Sequence, residues 1–319
     1  MTALKDKIEF AISETRVLIL GAQVLIGLDY QSVFQPGFQR LGFGDQALKL
    51  GSLGLLMLAT ALLCAPAPYY CVVEKGEHSW SFHAFITRMA EWSLLPMAIA
   101  LGIDLYLAGL QAAGPVAGKA VGIAGGAAAF LLWYGWEWAT KRTRSKKISV
   151  VEKKEPEQPL PVAEKIKDLL REDRVVLPGV QALLGFQFVV ILVDGFQKMP
   201  QYMKYVHVAS LCLMSLSTIL LIAPAAYHRI VEQGEATERF YRLASMLLIL
   251  ALVPLALGMC GDLFVVVMQV TKSMTVSLTV SSVMLLVFYG LWFGYAFYRR
   301  SKQGKTAPEK KVLPFTRTS

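Results

Sequence analysis

The ionisable side chains inside apolar runs are where this chain could do chemistry. Asp29, Asp104 and Asp262 each sit in a stretch otherwise dominated by apolar residues. A carboxylate at the centre of a helix in hydrocarbon costs roughly 2.5–3.5 kcal/mol, so it usually faces a cavity or a partner. At 1.5 Å per residue, Asp29 lies about 20 Å past Arg16 and Asp104 about 24 Å past Arg88, which places both in the outer third of a bilayer. Two carboxylates meeting there would repel each other and lose water, and one would bind a proton more tightly. That chemistry is proton or ion binding, with Asp29, Asp104 and Asp262 as candidate groups. The bland reading is that these side chains cap helices or reach headgroup water. Gln23 and Gln181, about 10 Å past Arg16 and Arg174, either hydrogen-bond between helices or line a path.

Other chemistries find no footing. Cys64, Cys71, Cys212 and Cys260 lie in or beside apolar runs without CxxC spacing, and read as small hydrophobes. His78, His83, His207 and His228 make no HExxH or similar ligand pattern, so no metal is expected. There is no GxxxxGK[ST], GxGxxG or GxSxG motif, no paired-aspartate GxGD motif, and no cofactor is expected. The chain does not read as an enzyme.

The elements that hold these residues are membrane spans. The 319 residues are 55% apolar and 17% charged, against about 25% charged in an ordinary soluble domain. Several apolar runs reach the roughly 20 residues that cross a hydrocarbon core. LLCAPAPYYCVVEKGE at Leu62–Glu77 returns as LLIAPAAYHRIVEQGE at Leu220–Glu235, an offset of 158 residues that holds from Lys7/Lys165 to Leu105/Leu263. One unit has been written twice. The expected fold is all-α, a polytopic membrane protein of eight transmembrane helices in two parallel four-helix repeats. Spans are read at 16–34, 46–66, 89–110 and 117–138, then at 174–193, 205–224, 243–270 and 275–298. Amphipathic segments 3–13 and 162–172 each read as a short interfacial helix leading into a span. Pro66 and Pro224 are expected to end or kink their spans. No cleavage site follows the first run, so no cleaved leader is expected.

The organisation is a first membrane repeat over 1–140, a charged linker at 141–161, a second repeat over 162–300 and a tail at 301–319. Of 32 Lys and Arg, 26 fall on the side of the termini, linker and 2–3 and 6–7 connections, and six on the other. The net charge of +9 therefore expresses the positive-inside rule, with both termini cytoplasmic; the partner is the lipid bilayer and not nucleic acid. Gly118, Gly122 and Gly126 recur every four residues, spacing that suits close helix packing inside the bundle or a seam with a second copy. The repeated Glu74/Glu77 and Glu232/Glu235 form a cytoplasmic elbow, read as a structural turn or as a cation-attracting mouth.

ETRVLILGAQVLIG (14–27), APAPYYCVVEKGE (65–77) and TRMAEWSLLPMAIALGIDLYL (87–107) resemble an uncharacterised family of short bacterial four-helix membrane proteins, domain-of-unknown-function family 6328. APAAYHRIVEQGE (223–235) resembles it more closely still. The resemblance implies a tandem version of that unit in a bacterial plasma membrane. Some members carry a sodium:proton antiporter label, which brings no site residues with it. Two functions follow: a small ion or proton transporter using the intramembrane aspartates, or a non-transporting scaffold that assembles through its small-residue faces.

Overall fold

The computed structural model describes residues 3–135, 160–232 and 235–306. Among them are eight helices long and apolar enough to cross a membrane, and no strand. These are α1 (Ala3–Ser32), α2 (Phe43–Cys64), α3 (Trp80–Ala113), α4 (Pro115–Phe130), α5 (Val162–Val190), α6 (Gln201–Ile230), α7 (Glu238–Thr271) and α8 (Met274–Tyr289). The first four and the last four form the two four-helix units.

Local chemistry sets the ends. Ser79, Thr237 and Ser273 cap α3, α7 and α8, each accepting from the backbone N–H three residues on. Gly114, at φ 86°, stops α3, and Pro115 opens α4 at once. Pro66 ends α2, after which a short helix and a π-helical turn carry the chain to Glu74. Pro224 does not end its span: α6 runs through it to Ile230. The segments 3–13 and 162–172 are not separate helices either. They are the opening turns of α1 and α5, because nothing between them and the apolar runs breaks a helix. Residues 136–159, including most of the linker, lie outside the described residues, as does the tail beyond 306.

The two units meet along α1 and α5. Lys5 pairs with Glu164 at 2.9 Å, Phe186 fills the space beside Gly27, Gln23 presses on Gly179, and Gly195 abuts the backbone of Phe34. The numbers on the two helices rise together, so α1 and α5 are parallel and the units point the same way. Small residues are required here, since a Cβ on Gly27 or Gly179 would overlap the side chain seated on it. Their counterparts Gly185 and Gly21 face open space.

The fourth helices break the repeat. α4 packs on its own α3: a Cβ on Gly118 would come within 2.9 Å of Leu110 N, and one on Gly122 within 2.9 Å of Gly102 O. The Gly118/Gly122/Gly126 face is therefore used inside the bundle. By contrast α8 reaches across to the first unit. Buried Trp292 donates from Nε1 to Ala61 O at 2.9 Å. That carbonyl is free because Ala65, beside the Pro66 break, donates to Leu62 O instead. The following helix, Tyr295–Thr306, stacks Tyr295 on Tyr69 and Phe85. Cys64 and Cys260 are buried as expected, but Cys212 is exposed on the lipid-facing side of α6.

Overpacking the α3–α4 contact should destabilise the fold. Gly122→Leu is expected to lower stability by about 1–3 kcal/mol, read as an earlier thermal unfolding of the detergent-purified protein. Gly21→Leu, at a glycine that meets nothing, should leave it unchanged.

Candidate functional site

The last turn of α1 presents Asp29 and Tyr30, both almost fully buried. Successive residues on a helix point about 100° apart, and these two serve different units. Asp29 turns into the first. Its Oδ1 accepts from Lys49 Nζ at 2.5 Å, and the same ammonium donates to Asp104 Oδ1 at 2.9 Å. Ser52, one turn along α2 from Lys49, lies 3.1 Å from Asp29 Oδ2 and 3.0 Å from Asp104 Oδ1. The two carboxylates anticipated from sequence do come together, bridged by Lys49. Lys49 lies inside α2, within the span read at 46–66, and so does not belong with the connection charges in the count of basic residues by side.

Asp104 Oδ2 is buried without a hydrogen-bond partner. An open cleft of about 470 Å³ reaches the pair from the end of the bundle opposite the first residues of α1, walled by Ser32, Gln35, Gln111 and Phe38 with Lys49 and Asp104 at its base.

The second unit repeats the arrangement with altered groups. The 158-residue offset carries Asp29, Lys49, Ser52 and Asp104 onto Gln187, His207, Ser210 and Asp262. Gln187 Nε2 donates to Asp262 Oδ2. His207, fully buried, has Nδ1 3.1 Å from Asp262 Oδ1 and Nε2 3.2 Å from the backbone carbonyl of Gln187. A carbonyl only accepts, so Nε2 carries a proton. Nδ1 faces both an Asp262 oxygen and the Tyr30 hydroxyl, so it can donate to the first or accept from the second.

Tyr30 joins the units. Its hydroxyl lies 2.7 Å from His207 Nδ1, and its ring stacks on the imidazole at 5.7 Å. The link has no mirror image, because the residue matching Tyr30 is Phe188, which is exposed. Beside Tyr30, Gln187 and Asp262 lies a cavity of about 20 Å³ walled by Ile26, Met57 and Phe186, large enough for one water molecule. Gln187 Oε1 is buried and unpartnered.

The remaining anticipated residues divide. Gln23 is buried in the α1–α5 seam with both amide atoms unpartnered, whereas Gln181 is exposed, so the pair does not line one path. Gly179 makes the space that Gln23 fills. In the elbow, Glu74 accepts from Ser81 at 2.8 Å, and Glu77 pairs with Lys165 at 2.5 Å and accepts from Leu160 N at 2.8 Å. Glu77 does not cap α3, since Ser79 does. Glu235 is exposed and Glu232 half-buried, so among the described residues the second elbow lacks the bracing of the first. His78 reinforces that joint through Asp168 at 2.9 Å. Among the described residues no three His, Cys, Asp or Glu side chains form a group that could hold a metal ion.

Eight apolar helices in two parallel units, with buried charge clusters at matching places in each, define a multi-pass helical membrane protein with an internal duplication. The chain belongs to the family of unknown function DUF6328, whose model matches residues 7–138 and again 162–296. No curated protein and no solved structure matches it.

The bridging role of Lys49 is testable. Lys49→Met leaves Asp29 and Asp104 facing each other and should cost about 3–5 kcal/mol in thermal unfolding, the penalty of an unpaired buried charge. Asp29→Gln/Lys49→His, which gives the first unit the second unit's residues, should retain most of the stability.

Proposed function

We propose that this protein conducts or carries protons across a bacterial plasma membrane, using the two buried clusters as stations. The observation that carries the reading is the repetition of one design: a titratable nitrogen at 49 and 207 held by an aspartate at 104 and 262, beside a serine at 52 and 210. Purely structural polarity in hydrocarbon needs no carboxylate, since each carries a desolvation cost that an amide or hydroxyl avoids. Both groups at the cation position exchange protons, and Lys49 fills the place between Asp29 and Asp104 that a sodium ion would need. The favoured species is therefore the proton.

Supporting geometry supplies a route. The open cleft gives water access to Asp104 and Lys49. Tyr30 and the small cavity bring exchangeable groups to the central seam, and Gln23 continues it from there toward the first turns of α1 and α5. The basic side of the chain carries both termini, which on the positive-inside rule is the cytoplasm. The cleft then opens outward. The scaffold alternative loses its proposed face, because Gly118, Gly122 and Gly126 are packed against α3. A homo-oligomer would have to form through another surface.

The test is flux. Protein reconstituted in liposomes with an entrapped pH-sensitive dye should dissipate an imposed pH gradient faster than empty liposomes. Asp104→Asn/Asp262→Asn should return the rate to that background. Wild-type rates in the double variant would remove both aspartates from the mechanism.

A further inference from the structure

At the end of the bundle where α1 and α5 begin, a second cleft of about 470 Å³ opens between α5 and the end of α6. Its polar lining is basic: Arg16, Lys167, Arg171 and His228, with Ile166 and Leu170 as an apolar wall. Among the described residues no carboxylate lines it. Arg171 is held in place by Glu9 at 3.0 Å and Asp168 at 3.4 Å. Arg16 Nε is buried and has no hydrogen-bond partner among the described residues. Lys167 is exposed, and the ring of His228 rests 4.7 Å from that of Phe240. The cleft lies where the apolar run of α1 begins at Val17, the level at which lipid headgroups meet hydrocarbon.

The matching place in the first unit is filled. There Tyr70 and His78 stand where the second unit has His228 and Ala236, and Ile8 and Ile12 stand where it has Ile166 and Leu170. Tyr70 is fully buried and donates to Gly76 O, and His78 binds Asp168. One copy of the elbow plugs its own cleft; the other leaves a basic opening with an orphaned guanidinium nitrogen.

We propose that this cleft binds a phosphate group, the headgroup of an anionic phospholipid or a free phosphate compound. Arginine matches phosphate oxygens with paired donors, and basic pockets between membrane helices at headgroup level take such groups. The apolar wall suits a ligand with an acyl chain. The inference is independent of proton movement.

Thermal unfolding of the full-length protein in neutral detergent tests it, titrating phosphatidylglycerol, phosphatidylcholine or inorganic phosphate. Phosphatidylglycerol should raise Tm saturably and phosphatidylcholine should not. An equal rise with inorganic phosphate would identify a free phosphate as the source. In Arg16→Gln/Lys167→Gln the half-saturating phosphatidylglycerol concentration should rise at least tenfold. His228→Tyr/Ala236→His rebuilds the plugged version and should lose the response while unfolding normally without lipid. An unchanged response in both variants, or no rise for either phosphate probe in the wild type, overturns the proposal.

Discussion

A carboxylate surrounded by hydrocarbon must be given its partners by the chain itself. No water waits there to take them over, and an unpaired charge costs several kcal/mol. That constraint organises both units. Asp29 and Asp104 come from α1 and α3, and Lys49 and Ser52 on α2 stand between them. The charged groups therefore hold three helices in one register. Shifting α2 by a turn would leave an ammonium facing lipid and two acids facing each other. In the second unit the same helices meet around His207 and Asp262, with Gln187 supplying an amide where the first unit has an acid.

The substitutions between copies are coupled. Replacing Asp29 by Gln187 removes a negative charge, and replacing Lys49 by His207 exchanges an ammonium for an imidazole. A histidine between two acids would leave excess negative charge in a closed space, whereas one acid and an amide match it. The environments differ accordingly. Asp104 and Lys49 sit at the base of an open cleft, while His207 is fully buried and meets Tyr30, Phe196, Gln187 and Asp262.

Much of this was legible in the sequence. The repeat offset, the eight spans and the aspartates in lipid followed from composition and period. The bridging groups did not, for a reason visible in particular residues. Lys49 lies near the start of its span and was counted as a loop charge, while His207 was tested only against metal spacing. The available signal was the offset itself, because positions 49/207 and 52/210 are polar in both copies within runs that are otherwise apolar. Pro224 shows the opposite limit. Pro66 and Pro224 both sit in an Ala-Pro-Ala triplet, yet only the first, with Pro68 two residues on where the second copy has Ala226, breaks its helix, and there Trp292 takes up the freed carbonyl of Ala61. Gln181 fails similarly, since it is exposed while its match Gln23 is sealed in the seam. Tertiary surroundings decided each of these.

Duplication within one chain permits what two identical subunits cannot have. Along a symmetric seam every contact would occur twice, and Tyr30 could reach across only if its copy did the same. Here Tyr30 crosses and Phe188 does not; Gln23 enters the seam and Gln181 leaves it; α8 clamps the far unit while α4 stays with its own. Each departure removes one of a pair of groups that would collide or go unsatisfied on the axis. Gln23 fills the space made by Gly179 while Gly21 meets nothing, and a second tyrosine would need a second buried imidazole. Asymmetry thus gives the central seam a direction, from the open cleft at Asp104 to the sealed imidazole at His207. A symmetric dimer of the single unit could not have that direction.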